Sequence, residues 1–155
     1  MQRMFQVYPL YFKKHGMMLY QLFPCLNFYC LYGLEFFKAN PQKLSVLIAI
    51  GYEAMFSQAK QANLANHAEG ATLLQIVIQC FHKILSQQQL VLIFKKCFER
   101  LALAQNMKLF LKARIYGVFL CGFIYKFQLT QQCLVEKNAL KQVLDEILLS
   151  YKGIF

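Results

Sequence analysis

The sequence predicts an all-α protein: an antiparallel bundle of four to five helices with an extra aromatic helical segment at the N-terminus. Three observations carry this reading. Glycine (7) and proline (3) are scarce, so the chain has few natural breaks. Apolar residues recur at three- and four-residue intervals over long stretches, the period of one helix face. Only short polar interruptions separate those stretches, and short connections join antiparallel neighbours. A chain of 155 residues fits one domain, read here as an aromatic segment over 1–38 and a bundle over 40–152.

The first helix is expected over Met17 to Phe37, interrupted near Pro24 because proline breaks or kinks a helix. It is aromatic nearly all round, which suits a buried helix, a cap over a groove or a membrane anchor. The second opens at Asn40-Pro41, with Asn as the N-cap and Pro at the first helical position. Leu44, Leu47, Ile48, Gly51, Met55, Ala59 and Ala62 fall on one face of it, and it fades in Asn63-Leu64-Ala65-Asn66. The third, from Glu69 to Ser86, has the stripe Leu73, Leu74, Val77, Cys80, Phe81, Ile84 and Leu85. Gln87 to Gln89 form a connector. The fourth, Leu90 to Gln105, turns Ile93, Phe94, Cys97 and Leu101 inward, and Lys95, Lys96 and Arg100 outward. The fifth, Leu109 to Leu129, contains an uncharged run from Ile115 to Tyr125, too short for a membrane span and suited to a central core helix. The last, Val135 to Tyr151, sets Leu140, Val143, Leu144, Ile147 and Tyr151 on one side, and Gly153 ends it.

Apolar residues make up 58 % of the chain and charged residues 15 %, more apolar surface than one small core needs. The surplus has to face a partner, a membrane or a second copy of the chain. The formal charge of +10 favours anionic partners or simple solubility. Six cysteines without a C-x-x-C pair, each among apolar neighbours, suggest buried reduced thiols and a cytoplasmic setting. The alternative is membrane association through residues 15–34, a run without formal charge that is long enough to span but contains Gln21, Pro24 and Asn27.

Candidate chemistry is sparse. Cys80 and His82, or Cys25 and Cys30, do not have the spacing of a structural zinc site, so neither metal nor cofactor is expected. The carboxylates are few and scattered, and no phosphate loop or G-x-S-x-G is present, which argues against an enzyme. One basic cluster stands out: Lys95, Lys96, Arg100, Lys108, Lys112 and Arg114, countered only by Glu99. It is a candidate anion-binding patch for nucleic acid or an anionic membrane surface, against a plain solvated face.

Pro41, Lys43 and Leu44 stand in order; Gly51 follows ten residues after Pro41; Ala59, Lys60 and Ala62 come next, and then Glu69. This stretch, about residues 40–69, resembles the flagellar secretion chaperone FliS family. That family opens its first long helix with Pro-x-Lys/Glu-Leu, places a Gly ten residues on, and closes with Ala-(Lys/Arg)-x-Ala. The chain has Ala49-Ile50 where the family has Tyr-Asp. The resemblance implies a helical bundle that binds, without catalysis, a helical segment of a protein client, such as a secreted or filament subunit, in a hydrophobic groove. Apolar anchors at one-turn spacing serve such a groove. The groove is expected along Leu47, Ile48 and Met55 and under Phe23, Phe28, Tyr32 and Phe36. Self-association through the same surplus is the remaining partner reading.

Overall fold

The computed structural model describes residues 18–56, 64–103 and 107–152. Among them every regular element is helical: α1 (Met18–Tyr32), α2 (Leu34–Ala39), α3 (Gln42–Met55), α4 (Leu64–Phe81), α5 (Gln87–Leu103), α6 (Leu109–Tyr125), α7 (Phe127–Glu136) and α8 (Leu140–Tyr151). The fold is an all-α helical bundle. Its elements are more numerous and shorter than four to five long helices, because breaks fall at Gly33, Lys126 and Asn138.

Four helices, α3 to α6, form the centre, and side-chain contacts fix their directions. Gly51 and Ala54 of α3 face Leu74 and Gly70 of α4, so these two are antiparallel. Gln89 and Arg100 of α5 bond Ser45 and Met55, so α5 runs parallel to α3. Gln75 of α4 bonds the carbonyl of Arg114, and His82 stacks on Tyr125, so α6 runs parallel to α4. Phe94 and Phe98 both meet Phe119, while Phe94 also reaches Gly122, which makes α5 and α6 antiparallel. Successive helices therefore alternate in direction, as short connections require. The two hairpins lie side by side with like-directed helices adjoining. One end of the bundle gathers the start of α3, the end of α4, the start of α5 and the end of α6. The other end gathers the opposite termini.

Small residues set the closest approaches. A Cβ on Gly70 would stand 2.5 Å from the carbonyl oxygen of Gly51, and one on Gly51 would stand 2.7 Å from Leu74 Cδ2. Gly51 thus lets α4 approach α3 closely. Ala59 and Ala62 lie outside the described residues.

The N-terminal segment resolves into two faces. Phe23, Leu26, Cys30, Gly33 and Phe37 alternate at three- and four-residue spacing and are all buried. Helix α1 packs on α4, and Phe37 meets Phe81 at 4.8 Å between ring centroids. This burial explains why α1 runs through Pro24 instead of breaking there. An internal proline costs about 3 kcal/mol. Burying Phe23 and Leu26 on either side of it, at about 1.5–3 kcal/mol each, offsets it. The break comes at Gly33 instead (φ −98°, ψ 17°).

Other boundaries differ from expectation for local reasons. Asn40 stands between α2 and α3: its carbonyl accepts Lys43 N–H at 2.9 Å in the first turn of α3, but its side chain does not cap that helix. Its side-chain Nδ2 donates to the Phe36 carbonyl at 2.9 Å and its backbone N–H points to Phe36 and Phe37, so it closes α2. Helix α4 already begins at Leu64, which places Glu69 inside it. Gln87 to Gln89 are helical because Ser86 and Gln89 form a reciprocal capping box: Gln89 N–H donates to Ser86 Oγ, and Ser86 N–H to Gln89 Oε1. Helix α6 stops at Tyr125, and Val135 belongs to α7. Asn138 (φ 53°) then ends α7, with Asn138 N–H on the Val135 carbonyl and Ala139 N–H on that of Leu134. This is a Schellman motif with Asn in the left-handed position. Gly153 lies outside the described residues.

Candidate partner-binding face

Helix α1 carries no charged residue. Its inward stripe leaves Pro24, Cys25, Phe28, Leu31 and Tyr32 on the outside. Phe28 is 59 % exposed, Leu31 61 % and Tyr32 75 %. Phe28 and Tyr32 are one turn apart and touch, with ring centroids 4.6 Å apart, and Tyr29 meets Phe28 edge-on at 6.4 Å. Leu34 extends the same apolar run into α2 and is also exposed. Two aromatic rings presented outward at one-turn spacing match what a helix-in-groove contact uses as anchors. Such surface stays wet at a standing free-energy cost unless something covers it.

Of the seven residues expected to line a groove, the structure keeps Phe28 and Tyr32 at the surface, and Phe36 is half-buried. Leu47, Ile48, Met55 and Phe23 need correction. All four are fully buried in the shared core, where α2, α4 and α5 cover α3, and α4 covers α1. A groove along α3 is filled by its own neighbours.

The six cations of the expected anion patch do not form one surface, and three are engaged within the fold. Arg100 Nε donates to the Met55 carbonyl at 2.7 Å, closing the last turn of α3, and Nη2 lies 3.4 Å from His67 Nδ1. Burial lowers its pKa from the usual range. Lys96 pairs with Glu99 at 3.0 Å and sits over the rings of Tyr52 and Phe56. Lys112 pairs with Glu146 of α8 at 3.2 Å. Lys96 and Arg100 thus turn toward α3, while Lys112 turns toward α8. Only Lys95, Lys108 and Arg114 are exposed. Glu99 is a local partner visible in the sequence, whereas the Met55 carbonyl, the rings of Tyr52 and Phe56, and Glu146 come from distant parts of the chain, which the local pattern of charges did not reveal.

Five cysteines are held as thiols by their surroundings. Burial, with a further contribution from nearby Cys80, pushes Cys30 up to about 12. Burial also raises Cys97, Cys80 and Cys121, and burial with Glu136 raises Cys133. Protonated thiols are poor nucleophiles and poor metal ligands. Among the described residues no group of three His, Cys, Asp or Glu side chains is placed to hold a metal ion. A cavity of about 480 Å³ opens at one end of the bundle between Leu85, Ser86, Leu90, Lys126, Phe127 and Leu129. Lys126 is the one ionisable side chain in its lining.

No described helix is long and apolar enough to cross a membrane. No family model matches the chain, and neither does any curated protein or solved structure.

Proposed function

We infer that the protein is a non-enzymatic helical adaptor or chaperone that receives a helical segment of a protein client on the outer face of α1. The observation that carries this reading is the outward pair Phe28 and Tyr32, extended by Leu31 on a helix without charge. The contact would be apolar and indifferent to salt, because no charged side chain takes part. The resemblance of residues 40–69 to flagellar secretion chaperones supports an export client kept from early assembly in the cytoplasm. With Leu47, Ile48 and Met55 buried, the exposed part of the expected groove residues is Phe28 and Tyr32 on α1, and these support the reading.

The test is capture from the native cells with the tagged chain and with F28D/Y32D. Wild type is expected to recover one secreted or filament-forming helical protein at stoichiometric level, equally in low and high salt. The double variant is expected to lose it while keeping its helical circular dichroism. Recovery of nucleic acid alone, or an unchanged yield with the variant, would sink the reading.

A further inference from the structure

The end of the bundle away from Phe81 carries a second surface, which client binding does not use. Helix α5 ends on Leu103, and α6 starts on Leu109-Phe110 behind Lys108. Leu103 is 69 % exposed, Leu109 79 %, and Phe110 is exposed as well. Phe110 and Arg114 are four residues apart and share one face of α6. Lys108 and Arg114 are exposed, and neither forms a salt bridge among the described residues. Between Glu99 and Glu136 the chain contains no carboxylate. This corner, the start of α6, therefore presents exposed apolar side chains flanked by two cations without a salt bridge among the described residues, and the carboxylate that reaches this helix, Glu146, is taken by Lys112.

We propose that this corner docks on an anionic lipid surface, with Leu109 and Phe110 entering the acyl boundary and Lys108 and Arg114 resting at the headgroups. Charge complementarity selects an anionic occupant, and the apolar tip selects lipid over nucleic acid. A phosphate backbone rewards the cations but leaves Leu109 and Phe110 in water. A bilayer interface takes both at once: apolar side chains gain by leaving water, and each nearby cation gains from the surface potential.

The test is co-sedimentation of the full chain with phosphatidylcholine vesicles, with and without phosphatidylserine. Wild type is expected to bind the serine-lipid vesicles, to ignore the neutral ones, and to bind less as salt rises. K108E/R114E should weaken binding by about 25-fold or more, since each cation near such a surface is worth about fivefold. L109S/F110S should weaken it by about a hundredfold or more with the charge unchanged. F28S/Y32S, on the client face, should bind as wild type does, so failure here and failure of the client reading are separable. All four corner positions are exposed, so both corner variants are expected to keep wild-type circular dichroism, and each pair reads the site independently. Absence of binding, equal binding to neutral vesicles, or full binding by L109S/F110S would overturn the proposal. So would duplex DNA that strips wild type from the vesicles and binds L109S/F110S equally well.

Discussion

Gly70 and Gly51 differ in what a methyl group would meet. At Gly70 the obstacle is the backbone carbonyl of Gly51, which cannot move without separating α3 from α4. At Gly51 the nearest atoms belong to the Leu74 side chain, which can rotate. Gly70→Ala is therefore expected to destabilise the fold by about 1–3 kcal/mol through overpacking, partly offset by better helix propensity. Gly51→Ala should cost less, and urea titrations of the two variants compare them directly. The cysteines act in a different way. Burial raises the pKa of Cys30 and Cys97, so the unfolded chain ionises before the folded one. Stability from this source is complete below the ordinary thiol value of 9.0 and falls as pH rises above it. Thermal melts from neutral to strongly alkaline pH should show that fall, and C30A/C97A should flatten it. Cys25 is exposed, so a thiol reagent should label it in the native protein before Cys30 or Cys97.

At the scale of the element, the start of α5 depends on two side chains of its own connection. Ser86→Ala removes half of the capping box and should lower stability by about 0.5–2 kcal/mol, measured by denaturant unfolding. Gln89→Leu should cost more than its half of the box, because Gln89 Nε2 also donates to Ser45 Oγ and ties α5 to α3. The sequence already carried this motif as Ser86-x-x-Gln89, yet the run of glutamines read as a connector. Periodicity made the existence of the central helices legible, because each buries a stripe. Their ends depended on finer signals. Asn40 is as good at closing one helix as at opening the next, and only the direction of its side chain decides. The surface of α1 was half legible. An excess of aromatics announced that something would remain outside, but Phe23 and Phe28 differ only in register. Which of them faces α4 is a tertiary fact. The groove residues of α3 failed for the same reason: a stripe wide enough to bind a partner is also wide enough to be covered on several sides by its own fold.

For the whole molecule, charge and grease work against each other. A formal charge of +10 repels copies, while the exposed rings of α1 attract them. Screening weakens the first and leaves the second, so added salt should promote self-association of the isolated protein. Sedimentation velocity is expected to show a larger species appearing with salt for wild type, and little change for F28S/Y32S. A larger species that is unaffected by that double change would place the contact elsewhere. The two apolar surfaces stand apart along the bundle. Phe37 on Phe81 holds the segment after α1 at one end, and Leu103, Leu109 and Phe110 mark the other.

Placing like-directed helices side by side has an electrostatic consequence. Each helix carries a partial negative pole at its C-terminus, and the poles of α3 and α5 adjoin across the two hairpins, beside the positive poles of their antiparallel partners α4 and α6. Arg100 rises from the last turn of α5 and donates to the Met55 carbonyl at the last turn of α3, so one guanidinium sits between the two poles. Its worth should exceed that of an ordinary surface cation, approaching the upper range of about 2 kcal/mol for a cation at a partly buried helix end. Lys at this position would keep the charge but lose the fixed donor geometry. Arg100 thus ties the two hairpins together at this end and sets a positive charge between the C-termini of α3 and α5.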